Sequence, residues 1–128
     1  MSVRVVVADD QAPFRRAARS VLRSTREFEL VGEACSGEGA VALARSLRPD
    51  VVLLDIRMEG VGGIEAARVI TASSPNTVTI LLSTYREEDL PADARSCGAA
   101  GYIHKSDFGA PALRALLAAA NRDRPGTR

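Results

Sequence analysis

Five short apolar segments alternate with stretches of helical periodicity along nearly the whole chain, and few architectures accept that alternation. The apolar segments are "VRVVVA" (3–8), "FELVGEA" (28–34), "VVLLD" (51–55), "TVTILLS" (77–83) and "GYIH" (101–104). The first is apolar on both faces, so it expects cover on each side, as in a parallel sheet with helices on either side. Between them Phe14, Ala17, Ala18, Val21 and Leu22 fall at the spacing of one helix face, with Pro13 suited to the first turn. Ala40, Leu43, Ala44 and Leu47 form a second stripe, a third helix is predicted from about Ile64 to Ala72, and Leu113, Leu116, Leu117 and Ala120 mark a last one.

This pattern predicts an α/β, doubly wound, five-stranded parallel sheet with five helices. Right-handed crossovers favour the flavodoxin-like strand order 2-1-3-4-5. At 128 residues the chain is one domain with room for a real core. The fourth helix is the weak element. Proline in a helix interior costs about 3 kcal/mol and its predecessor avoids the α region, so "REEDLPADARSCG" predicts a short helix from about Pro91 to Cys97, stopped by Gly98.

Composition narrows the function. The hydrophobic share of 46% and charged share of 26% are those of a soluble globular domain, and the absence of Trp leaves a core of Val, Leu, Ile and Ala. A net charge of +1 argues neither for nor against nucleic acid, and no basic run or helix-turn-helix pattern is left over once the elements are placed. Cys35 and Cys97 lack metal-ligand spacing and are expected as reduced core thiols. "MSVRVVVA" is too short and too quickly polar for a signal peptide, and no apolar stretch approaches the roughly 18 residues of a membrane span. The expected compartment is the cytoplasm.

The strand ends carry the chemistry. Strand 1 ends in Asp9 and Asp10, strand 3 in Asp55, strand 4 in Ser83 and Thr84, and strand 5 in Lys105. In an open parallel sheet these ends share one rim, and ligands bind where the strand order reverses, here between strands 1 and 3. Two adjacent carboxylates repel by up to roughly 4 kcal/mol when partly buried, which points to a cation beside them. Oxygen ligands without His or Cys select Mg²⁺ or a similar ion. A third carboxylate is then a plausible nucleophile toward phosphorus, with Ser83 and Lys105 placed to meet the phosphoryl oxygens. Singly, each residue has an ordinary role as helix-start acid, turn cap or solvated lysine. Their convergence on one rim favours the chemical role.

These residues resemble the receiver domain of two-component response regulators over about Val3 to Asn121. "VVVADDQ" is similar to that family's acidic doublet, "RPDVVLLDIRM" to its phosphoacceptor strand, "TILLSTY" to its hydroxyl strand and "GAAGYIHK" to its aromatic-plus-lysine strand. "DIRM…GGIEAAR" and "LLSTYREED" are most similar to regulators with a LuxR-type DNA-binding effector domain. The resemblance implies that Asp55 accepts a phosphoryl group from a sensor histidine kinase. Asp9, Asp10, Asp55 and the Arg57 backbone carbonyl would hold Mg²⁺. Ser83, Thr84 and Tyr102 would form the switch, while Arg57 and Tyr85 match variable positions beside the pocket. It further implies a signalling receiver that catalyses only its own phosphorylation and dephosphorylation, possible homodimerisation on phosphorylation, and contact with DNA only through a separate effector domain. Residues 1–121 would be the receiver. The tail 122–128, "NRDRPGTR" with Asn121, has linker composition, and an effector domain is expected beyond it.

The chain departs from the family pattern in places. Glu59 and Gly62 stand where Pro and Asp are common, which predicts a mobile 57–63 loop without a side-chain cap for the third helix. Ser106 replaces a common Pro, and Pro91 falls within an element of the usual output face. Two enzyme-like alternatives fit less well: a haloacid-dehalogenase-type hydrolase needs an Asp where Arg57 stands, and a flavin-binding flavodoxin needs a phosphate loop where "DDQAPF" stands. The remaining alternative is a phosphorylation-independent pseudo-receiver acting as an interaction module.

Overall fold

The structure is a computed structural model and describes residues 2–123. Five strands, β1 (Val3–Ala8), β2 (Phe28–Ala34), β3 (Val51–Asp55), β4 (Val78–Ser83) and β5 (Gly101–His104), form one sheet in the order β2-β1-β3-β4-β5. Every neighbouring pair is parallel. This is the flavodoxin-like arrangement. The helices are α1 (Ala12–Arg23), α2 (Gly37–Leu47), α3 (Gly63–Ser73) and α4 (Ala110–Asp123).

Strand alternation divides the core into two. Val6, Ala8, Val52, Leu54 and Leu81 face α2 and α3, where Ala40, Ala44, Ala66, Ala67 and Ile70 let the helices approach closely. Val5, Val7, Val51, Leu53, Ile80, Leu82 and Ile103 face the opposite way, toward Ala18 and Leu22 of α1 and Leu113 of α4. Helix ends follow their local chemistry. Ser36 caps α2 by accepting from the Gly39 amide at 3.0 Å. At the other end of α2, Arg48 adopts φ +48°, and the Arg4 guanidinium donates to the Leu47 and Arg48 carbonyls at 2.8 and 3.0 Å. These bonds satisfy carbonyls that the last turn leaves free.

Two expectations are corrected. The described residues contain four α-helices rather than five. Between β4 and β5 the chain makes only two short 3-10 turns, Glu87–Asp89 and Ala92–Arg95, in place of a helix from Pro91 to Cys97. Pro91 forces Leu90 into an extended conformation, φ −66° and ψ 143°, and only Ala94 and Cys97 in the second turn region are buried enough to anchor a helix. Gly98 does end the segment, at φ +95° against Thr71, where a Cβ would lie 2.7 Å from the threonine oxygen. Cys97 is a buried thiol, but Cys35 is exposed, because it follows the last residue of β2 on the open rim. The last helix, α4, runs through Asp123. Residues 124–128 of the expected linker lie outside the described residues. No helix among the described residues is long and apolar enough to cross a membrane.

Candidate phosphoryl and metal site

The carboxyl ends of β1, β3, β4 and β5 meet at the rim where the order reverses, around a cavity of about 320 Å³ lined by Asp10, Gln11, Asp55, Arg57, Ser83, Thr84 and Lys105. Asp9 lies just beneath it with 0% exposure, Asp55 and Ser83 are 6% and 2% exposed, and Asp10 reaches solvent. One carboxylate oxygen from each of Asp9, Asp10 and Asp55 lies within 4.8 Å of the others. The expected site residues are therefore brought together.

Lys105 reaches in from the short 3-10 turn that follows β5. Its ammonium is 2.6 Å from Asp9 Oδ2 and 3.5 Å from Asp55 Oδ2. Asp9 Oδ2 is fully buried, and the Lys105 ammonium is the cation that meets it among the described residues. Asp9 Oδ1, by contrast, accepts from the Gln11 amide at 2.8 Å. One ammonium thus serves two buried acids, with the exposed Asp10 carboxylate beside them. Three carboxylates gathered within 4.8 Å, partly buried and with no nitrogen or sulfur donor among them, fit a small divalent cation.

Asp55 records the imbalance. Its carboxyl is pushed up from 3.8 to about 6, first by burial and next by the charge of Asp9; Lys105 and the Arg57 backbone amide pull the other way and do not cancel the rise.

The hydroxyl side of the cavity is a tied loop. Ser83 Oγ accepts from the Tyr85 amide at 2.8 Å, and Tyr102 Oη donates to the Tyr85 carbonyl. Burial raises the Tyr102 phenol above its ordinary value, helped by Glu87, Asp107 and Glu88. The Arg57 guanidinium lies 5.6 Å from the centre of the Tyr85 ring, so these two side chains flank the mouth as a pair.

The loop after β3, expected to be mobile, carries identifiable restraints. The Gly37 amide donates to the Val61 carbonyl at 3.0 Å, and Glu38 Oε1 accepts from the Val61 amide at 3.3 Å. A Cβ on Gly37 would lie 2.1 Å from the Val61 oxygen, so only glycine permits this approach. Gly62 precedes α3 without a side-chain cap, as its sequence implies.

Two further contributors were not read from the sequence as site residues: Phe14 was read as a core position of the first helix, and Arg15 was not singled out. Phe14 of α1 places its ring 4.8 Å from Lys105 Nζ and packs edge-on against Phe108, with ring centres 5.7 Å apart. Arg15 Nη1 donates to the Asp9 carbonyl at 2.5 Å. The signal for Phe14 was its place one turn after the acidic doublet; for Arg15 the sequence offers none.

The sequence profile of the response regulator receiver domain matches residues 5–118. Response regulator UvrY of Escherichia coli K12 is 40% identical over 103 residues, covering 80% of this chain and 47% of UvrY. The signal receiver domain of NarL from Mycobacterium tuberculosis superposes with a TM-score of 0.85 at 34% identity, covering 96% of this chain and 98% of that domain. A LuxR-family two-component response regulator from Aurantimonas sp. SI85-9A1 gives a TM-score of 0.84 at 27% identity, over 97% and 89% of the two chains. The chain spans about half the length of the curated relatives it matches.

Proposed function

This chain belongs to the response regulator receiver domain family, and on that premise we propose that Asp55 accepts a phosphoryl group from the phosphohistidine of a sensor kinase. The observation that carries this reading is the setting of the Asp55 carboxylate: 6% exposed at the cavity wall, 3.5 Å from the Lys105 ammonium and beside two further acids.

An Asp55 oxygen attacks phosphorus, the P–N bond to the kinase imidazole breaks, and an acyl phosphate forms as the imidazole leaves with a proton. Ser83 Oγ already accepts from Tyr85, so its own O–H is left to donate to a phosphoryl oxygen. Lys105 supplies a point charge to the same oxygens. A Mg²⁺ ion held by Asp9, Asp10, Asp55 and the Arg57 carbonyl would neutralise phosphoryl charge. Hydrolysis of the acyl phosphate at the same site ends the signal, and the chain acts on no other substrate.

The new charge biases the Ser83–Tyr85 loop, and Tyr102, bonded to that loop, carries the bias to the surface formed by β5 and α4. Similarity to transcriptional regulatory proteins supports an output on transcription through an attached DNA-binding domain; dimerisation on phosphorylation and a cytoplasmic location are parts of the same proposal. Incubation with Mg²⁺ and acetyl phosphate followed by intact-mass measurement tests the reading. One added phosphoryl group, lost in Asp55→Asn and in chelator, is expected. No adduct together with no Mg²⁺ binding by calorimetry would favour the phosphorylation-independent interaction module.

A further inference from the structure

The single histidine of the chain sits directly before the site lysine. His104 Nδ1 lies 3.1 Å from the Ser106 amide and 2.8 Å from Ser106 Oγ, and Nε2 lies 3.0 Å from the Thr84 carbonyl. The chemistry of the partners fixes the tautomer. A backbone amide only donates, so Nδ1 is the acceptor. A carbonyl only accepts, so the proton is on Nε2. Ser106 makes this possible, since a proline there would have no amide hydrogen to orient the ring.

We infer that His104 is a positioning residue that holds the hydroxyl-bearing loop of β4 in register with the lysine-bearing loop of β5. Thr84 adjoins Ser83 and Lys105 adjoins His104, so one neutral imidazole spans the two segments whose side chains line the cavity from that side. Main-chain pairing between β4 and β5 ends at Ser83 and His104. Beyond that rung the Thr84–His104 bond, with the Tyr102–Tyr85 bond, continues the sheet's connection through side chains. Ser83 and Lys105 must meet the same phosphoryl oxygens, and a lateral slip of either loop separates them. The role of this spacing in phosphoryl binding rests on the function proposed above; the tether itself does not.

Two substitutions separate the ring's roles. His104→Asn keeps an acceptor for the Ser106 amide near the Nδ1 position and loses the donor to Thr84. His104→Gln carries an amide N–H out to about the Nε2 position. In ligand-free protein, exchange of the Tyr85 amide, which bonds Ser83 within the tethered loop, should be about three- to tenfold faster in His104→Asn and near wild type in His104→Gln, as loss and recovery of one hydrogen bond imply. Apparent affinity for beryllofluoride with Mg²⁺, followed by tyrosine fluorescence, should weaken by a similar factor in His104→Asn and recover in His104→Gln. Unchanged exchange in His104→Asn, or equal loss in both variants, overturns the inference. Faster exchange in His104→Asn in a protein that takes no beryllofluoride at all would support the tether and count instead against the phosphoacceptor reading.

Discussion

Replacing Asp55 by Asn should stabilise the metal-free protein, although it removes the residue on which the proposed chemistry depends. The unfolded chain holds this carboxyl near 3.8, while burial and Asp9 hold it at about 6 in the folded protein. Between those values the folded state binds a proton that the unfolded state has released, so stability falls as pH rises through this window, and the whole penalty is present above about pH 6. The interval corresponds to about 3 kcal/mol. An amide escapes the charge penalty but presents an N–H₂ group to a site built of acceptors and an ammonium, so a net gain of about 1–3 kcal/mol is expected at pH 7.5. For a domain of this size that raises Tm by about 4–12 °C. Thermal unfolding by circular dichroism in chelator at pH 7.5 and pH 4 is the assay. The gain should appear at pH 7.5 and shrink toward zero at pH 4, where the wild-type carboxyl is largely protonated in the fold. An Asn variant less stable than wild type at pH 7.5, or equally shifted at both pH values, would refute the electrostatic account of the site.

Other substitutions probe neighbouring parts of the same arrangement. Lys105→Met leaves the fully buried Asp9 facing Asp55 without its cation and should cost about 3–5 kcal/mol in urea denaturation without metal, with part of the loss restored by Mg²⁺. Gly37→Ala drives a methyl against the Val61 carbonyl and should cost about 1–3 kcal/mol, with weaker Mg²⁺ binding by calorimetry because the loop after β3 is displaced. Cys35 should react with a thiol reagent in the native protein while Cys97 reacts only on unfolding, as absorbance after dithionitrobenzoate addition would show.

Much of this arrangement is legible before any coordinates. The strands are read well because β1, β3 and β4 are apolar on both faces, a pattern that surface segments do not show. Once the strand order follows, the positions of Asp9, Asp10, Asp55, Ser83 and Lys105 at one rim follow as well. The segment from Arg86 to Cys97 was harder because local signals conflict: a polar, helix-compatible composition meets a proline, and too little apolar surface is present to override it. Cys35 was misjudged because a lone cysteine without metal-ligand spacing reads as a core thiol on residue type alone, whereas its place just past the end of β2 puts it on the open rim. His104 was read only as a strand residue, since a contact between Thr84 and His104 exists only once β4 and β5 are paired. Phe14 was read only as a core position, its place one turn after the acidic doublet being the single hint of a site role.

The central claim is that Asp55, and no other acid of the cluster, carries the phosphoryl group. Borohydride reduction after incubation with Mg²⁺ and acetyl phosphate, followed by peptide sequencing in the mass spectrometer, tests this most directly, because reduction of an acyl phosphate converts aspartate to homoserine. Homoserine at position 55 alone is the expected result. Homoserine at position 9 or 10, or at no position in a protein that binds Mg²⁺, would contradict it.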